Sequence, residues 1–276
     1  MKSLFHALLN TPDKWQIVFF TFILFLSWNI ELIAGITNDF KKLKHASVNA
    51  KFIFSNIPFQ FLLGLAFTLT IHYTTLHHFG IIYFYGYFQN HWVIFIASFI
   101  LLDFGEYIYH FLMHKIKRFW MFHVVHHSDP VVDVSTSLRE HPGENIIRNT
   151  FTLLWVLLIG VPFWAFLLRQ VIQTASNVFA HLNCRLPEKL DKIVGLIFIT
   201  PNLHHVHHHY QKPYTDCNYG DVLSIWDRIF GSFCRMPASR IIFGVDTFMD
   251  TKENGKYISL VKMPFGKYRS SPSRAK

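Results

Sequence analysis

At 276 residues the chain is long enough for one large domain. Its make-up of 51% apolar and 17% aromatic residues against 16% charged, with 30 phenylalanines, excludes an ordinary soluble protein. A formal net charge of +9 suits nucleic acid or an anionic membrane surface, and because the basic residues lie beside apolar runs, the membrane is expected and nucleic acid is not. Cys184, Cys217 and Cys234 are odd in number and lack C-x-x-C spacing, so they offer no disulfide framework.

Thr11-Pro12-Asp13 reads as a helix start, and the apolar run 15–36 is long enough to span a bilayer core of roughly 30 Å. No cleavable leader is expected, since no small-residue cleavage site follows that run. The lysine-rich stretch 41–51 reads as a loop, followed by a second span over 52–73. Residues 74–90 are aromatic and carry no Lys or Arg; a third span over 91–109 leads to Lys115, Lys117 and Arg118. The positive-inside rule then puts 41–51 and everything after His114 in the cytoplasm, and 74–90 outside.

The fourth apolar region, 146–180, contains Gly160 and Pro162 at its middle. A straight crossing would strand the histidines near 204 across the membrane from those near 123. A glycine–proline pair breaks a helix, so a helical hairpin is expected, with arms near 146–159 and 163–180. Arg169, Gln170 and Gln173 should face protein or water rather than lipid. From Asn183 the chain turns polar and should form a cytoplasmic cap; 264–276 is a basic tail. The expected fold is a single all-α integral membrane domain: about four transmembrane helices, the fourth region a broken hairpin, with a cytoplasmic helical cap carrying the histidine groups.

Three histidine groups carry the chemistry. His110 and His114 are i, i+4 on the helix leaving the membrane, one face apart by roughly 5–6 Å at Cβ. His123/His126/His127 and His204/His207/His208 both repeat i, i+3, i+4. A single H-x-x-x-H pair means little, but three groups with two identical spacings point to metal. Imidazole suits iron, zinc and copper. Eight imidazoles exceed one tetrahedral zinc and suit two metals with about four nitrogens each. No H-E-x-x-H motif supports a zinc protease.

With its H-x3-H, H-x2-HH and H-x2-HH boxes, the sequence resembles the fatty acid hydroxylase/sterol desaturase superfamily of membrane di-iron enzymes. The linking text agrees: H-H-S-D over 126–129, R-E-H-P-G-E over 139–144, F-A-H-L-N over 179–183, and D-C-N-Y-G-D-V-L-S-I-W-D-R-I-F-G-S-F over 216–233. The likeness covers 103–233, which would be the catalytic core. It implies an O2-dependent monooxygenase holding two irons per chain that hydroxylates, or desaturates, a membrane lipid such as a fatty acyl chain or sterol. The implied ligands are the eight box histidines. His181, in the family's H-x-N position, is expected as a further ligand, while His141 is left between ligand and structural residue. His205 and His209, where relatives often carry Arg and Ser, are left outside. No fused haem or flavin domain is expected, so electrons would come from a ferredoxin or cytochrome with its reductase. A metal-binding or transport protein and a zinc hydrolase are the alternatives.

Asp103 and Glu106 precede His110 on one helix, and Asp216, Asn218 and Asp227 follow the third box. These are expected to orient the imidazoles by hydrogen bonds; for the later group, packing and turn chemistry is the competing reading. The substrate cavity is expected to be lined by Phe, Leu and Ile. The C-terminus lacks a K-D-E-L-type signal, which favours a bacterial inner membrane over endoplasmic reticulum.

Overall fold

A computed structural model of the chain describes residues 12–33, 39–84 and 90–270. Thr11 in the expected helix start, the end of the first span, residues 85–89 of the aromatic loop and 271–276 of the tail lie outside the described residues. Helix α1 spans Pro12–Ile33, with proline in the first turn, where its missing N–H costs nothing. Helix α2 spans Asp39–Leu76 without a break.

The lysine-rich stretch 41–51 is therefore the first third of a long helix, not a loop. One helical face of it is pinned to the protein. Lys42 is buried and paired with Glu31 of α1 at 2.8 Å, and Asn49 is buried against Ser135 and Asp129. Glu31, the lone acid of the first apolar run, also accepts hydrogen bonds from the backbone N–H of Val134 (2.9 Å) and Asn183 (2.7 Å). A buried carboxylate needs such partners, and this one ties four segments together.

The turn α3 (Ile81–Phe84) leads to α4 (His91–Lys115). Asn90 caps α4 by accepting from the Trp92 N–H at 2.9 Å. Ile116, in extended conformation, separates α4 from α5 (Lys117–His127). A short 3-10 turn at Val134–Leu138 is closed by a reciprocal capping box between Asp133 and Thr136. Helices α6 (Pro142–Ile159) and α7 (Phe163–Ala180) form the hairpin that Gly160 and Pro162 predict. Gly160 ends α6 in the left-handed region at φ 74°.

The cap contains the short helices α8 (Glu188–Val194), α9 (Pro201–His207), α10 (Ile225–Ile229), α11 (Thr251–Asn254) and α12 (Tyr257–Lys262). Among the described residues there is no strand, only isolated bridges Phe198–Leu223 and His209–Phe243. Helix α2 runs along α6, α1 along α7, and α4 along both hairpin arms and α5. One apolar core joins α2, α4 and the hairpin through Phe67, Leu102, Val156 and Phe166. A second joins α5 to the C-terminal cap through Val124, Val125, Phe248 and Leu260.

Two helical runs, Lys41–Phe84 and His91–Lys115, are long and apolar enough to cross a membrane. Their outward residues include Phe54, Phe61, Leu62, Phe84 and Trp92, which water would penalise and lipid would not. Arg169, by contrast, is fully buried beside Gln170, Gln173, Glu106 and Asp221.

At the hairpin tip, Gly160 and Gly80 touch backbone to backbone. A Cβ on Gly160 would sit 2.4 Å from the Phe79 carbonyl oxygen, whereas one on Gly64 would meet nothing within 4 Å. Gly160→Ala is expected to cost at least about 2 kcal/mol, adding steric overlap to left-handed strain. Gly64→Ala, in mid-helix, should be neutral or stabilising. Thermal unfolding of the two purified variants in detergent checks the contrast.

Candidate metal centre

The first box lies on the last two turns of α4, the second on α5 and the third on α9. Thr200 sets the start of α9 by accepting from the Leu203 N–H, and its own hydroxyl donates to Asp191 at 2.5 Å. These helices, with His181 at the C-terminal end of α7, bring nine histidines into two adjoining groups. One holds His110, His114, His123, His127 and His207; the other holds His126, His181, His204 and His208. Within each group one ring nitrogen per residue lies within 4.8 Å of all the others.

The boxes are divided between the groups. His123 and His127 enter the first while His126 enters the second; His204 and His208 enter the second while His207 enters the first. Helical periodicity explains this. At 3.6 residues per turn, positions i and i+4 differ by about 40° around the axis, whereas i+3 lies about 60° to the other side. Each triplet therefore uses both flanks of one helical face, one per group. Ring planes stack across the division, His127 on His208 at 4.6 Å between centroids and His123 on His126 at 5.5 Å.

The nitrogens approach one another closely. Nε2 of His123 is 3.1 Å from Nε2 of His110 and 3.2 Å from Nε2 of His127. In the second group, Nε2 of His181 is 3.1 Å from that of His126 and 3.0 Å from that of His204, which is 3.1 Å from that of His208. Metal–nitrogen bonds of about 2.1 Å at right angles would set two ligand nitrogens about 3.0 Å apart. Neutral imidazoles alone cannot satisfy such a ring, because each brings one proton for two nitrogens. His114 has both ring nitrogens buried without a hydrogen bond, and Nε2 of His207 is likewise orphaned. The donor set therefore fits two cations.

Several rings are aimed by their other nitrogen. Nδ1–H of His110 donates to the Tyr219 carbonyl (2.9 Å), that of His207 to Cys217 (2.6 Å) and that of His181 to Asn177 (2.7 Å). Nδ1 of His123 meets Glu144 at 2.5 Å. Each bond fixes the tautomer that leaves Nε2 free for a metal. Burial holds the imidazoles of His126, His127, His204 and His208 well below their ordinary pKa, with mutual repulsion adding to it, and His207 is held at about 3. All are neutral lone-pair donors at physiological pH.

Among the carboxylates and amides expected to orient imidazoles, Asp216 alone lies against one; Asp103, Glu106, Asn218 and Asp227 touch none directly. Asp103 accepts from the N–H groups of Val222 and Leu223 (both 3.2 Å) and from Trp226 Nε1 (2.8 Å), clamping α4 to the cap. Asp227 accepts from the N–H groups of Tyr219 and Gly220 and from Ser232, so it holds the loop whose Tyr219 carbonyl aims His110. Asn218, at φ 52°, bridges Leu203 of α9 to Cys234. Glu106 accepts from Thr152 at 2.9 Å and borders the cavity beside the histidines.

The direct contacts come from Glu144 and from Asp216, 3.5 Å from His114. Glu144 sits in the quoted R-E-H-P-G-E run, yet its partner is 21 residues away, so no local spacing marks the pair. A further network was equally silent. His45 bridges Asp129 (2.7 Å) and Asp133 (3.1 Å). Arg139, fully buried, bonds the Val125 carbonyl, Ser128, Asn49 and the Asn254 carbonyl. Together they fix the end of α5 that carries His126 and His127.

His141 joins neither group. It is the N-cap of α6, its Nδ1 accepting from the Gly143 N–H and its Nε2 meeting the Val261 carbonyl at 3.1 Å. His205 and His209 also stay outside both groups; His205 packs on Phe243, and His209 Nδ1 accepts from the Ile242 N–H. The cavity against the histidines departs from expectation as well: its lining is polar rather than Phe, Leu and Ile.

Residues 95–232 match the fatty acid hydroxylase family. The chain belongs to that family. It is 30% identical over 145 residues to an ornithine lipid hydroxylase of Rhizobium tropici, covering 51% of this chain and 42% of that protein. It is 28% identical over 159 residues to the alkylglycerol monooxygenase of Homo sapiens, covering 57% and 34%, and 32% identical over 152 residues to that of Danio rerio, covering 54% and 32%. The chain thus spans less than half the length of the relatives it matches. No solved structure matches it.

Two substitutions separate the roles. Glu144→Gln is expected to weaken metal binding about 10- to 100-fold by loosening His123, measured by chelator competition. His141→Ala should cost about 1 kcal/mol of stability as a lost helix cap and leave the metal content intact.

Proposed function

We propose that the protein is a membrane-bound di-iron monooxygenase that hydroxylates a lipid. The observation that carries this reading is the pair of adjoining all-histidine groups, with five and four members. Together they exceed the needs of one tetrahedral zinc, and imidazole suits iron. Family membership and the lipid-hydroxylating names of the matched relatives support the same chemistry.

The reaction balances as R–H + O2 + 2 e⁻ + 2 H⁺ → R–OH + H2O. Two bound irons would supply O2 reduction and the oxidant for an unactivated C–H bond. His110, His114, His123, His127 and His207 would hold one iron; His126, His181, His204 and His208 would hold the other, its smaller set leaving more room for exogenous ligands. Glu144, Asp216 and the carbonyls of Tyr219, Cys217 and Asn177 keep the rings aimed. The electrons come from a separate donor, a ferredoxin or cytochrome with its reductase, drawn to the basic surface near Lys117 and Arg118.

The apolar runs and outward aromatics support a multi-pass arrangement in which α1, α2 and α4 cross the bilayer and the α6–α7 hairpin enters and returns. The basic residues at both 41–51 and 115–118 support a cytoplasmic active site.

Protein purified from iron-supplemented cells is expected to hold about two irons per chain, falling to about one in His204→Ala. Membranes of cells making the active protein should gain a lipid one oxygen heavier, absent with His204→Ala. A stable single zinc with no such product would sink this reading.

A further inference from the structure

Two neighbouring chambers with shared wall residues lie beside the histidines. The inner one, of about 50 Å³, is bordered by His110 and His123 of one group and by His126, His181 and His204 of the other. The outer one, of about 260 Å³, shares Glu106, Glu140, Arg148 and Asn177 with it and reaches Phe20 of α1 and Gln60 of α2. Gln60 is itself exposed, and its neighbours Phe61 and Leu62 are outward apolar residues. The outer chamber therefore reaches an outward apolar flank, and the inner one borders both histidine groups.

The walls of the outer chamber are unlike a hydrocarbon tunnel. Only Phe20 and Val178 are apolar there. Carboxamides and hydroxyls dominate: Gln60, Asn149, Gln170, Gln173, Thr174 and Asn177. The charges are already matched to one another. Arg148 Nε lies 3.2 Å from Glu140, and Glu106 accepts from Thr152 with Arg169 at 3.9 Å. No lysine lines either chamber. A phosphate would find no free cation, and an alkyl chain would strip water from polar groups without replacing its hydrogen bonds.

We propose that this cavity holds the uncharged polar part of the lipid, a group with both donors and acceptors such as an amide or hydroxyl. The carbon presented to the metals then lies within a few bonds of that group, while the hydrocarbon tail trails back past Phe20 and Gln60 into the bilayer. This deepens the hydroxylase reading and rests on it for the reaction; the binding claim stands on the cavity alone. Gln60 and Thr174 both line the outer chamber and make no hydrogen bond to other described residues.

The test uses the full chain in lipid nanodiscs. Binding is compared for N-hexadecanoylethanolamine, ethyl hexadecanoate and hexadecyl phosphate, which share a chain length and differ at the polar end. The hydroxy-amide is expected to bind about tenfold or more tighter than the ester, which lacks donors. The double variant Gln60→Leu/Thr174→Val should shrink that preference to about threefold or less with ester binding unchanged. Equal binding of amide and ester, tightest binding of the phosphate, or an undiminished preference in the double variant would overturn the assignment. Tandem mass spectrometry of the hydroxylated lipid gives a second readout: the oxygen is expected within a few bonds of the polar group, and a hydroxyl far along the chain overturns the proposal. Iron analysis of the same sample keeps the two claims apart. Selective amide binding without iron would remove the di-iron reading alone; two irons without selectivity would remove the cavity assignment alone.

Discussion

Converging imidazole nitrogens impose the governing constraint on this structure. Lone pairs about 3 Å apart in a dry interior repel one another, and protonating the rings would only replace that repulsion with a worse one. A cation between them removes the conflict. Much of the surrounding architecture has the job of bringing α4, α5, α7 and α9 to within a few ångströms of one another, although they are distant in sequence.

The restraints that do this are mostly buried and polar. Asp103 and Asp227 bind backbone N–H groups of the 219–223 loop, and that loop supplies the carbonyl aimed at His110. Glu31 joins α1 and α2 to the segments carrying Val134 and Asn183. Arg139 and the His45–Asp129–Asp133 bridge hold the end of α5. Lipid cannot solvate such groups, so at the membrane border each must find its partner inside the protein. The same requirement makes a lysine-rich stretch helical: Lys42 and Asn49 are there to complete buried contacts rather than to face water.

The polar cavity follows a related logic. Helices α6 and α7 direct apolar residues to the core shared with α2 and α4, and carboxamides and hydroxyls toward the chamber between them. Gly160 lets the two arms turn sharply, so that His181 at the end of α7 returns to the level of α5 instead of crossing away from it. A hairpin thus accomplishes two things at once: it carries a ninth histidine to the site and walls the approach to it.

Local patterns were readable from the chain alone, because spacing of three and four residues on a helix and a Gly–Pro break act over one or two turns. They determined the histidine boxes, the helical character of the apolar runs and the hairpin. His141 was legible in principle too, since a residue just before a helix-starting proline is placed to cap. Other features depend on how turns far apart in sequence meet. Which histidine joins which group, the pairing of Glu144 with His123, the clamp at Asp103, the helix over 41–51 and the polar lining between α6 and α7 arise from contacts mostly separated by 20 to more than 100 residues. Periodicity fixes which way a side chain points from its own helix axis; only packing of helix against helix decides what it points at.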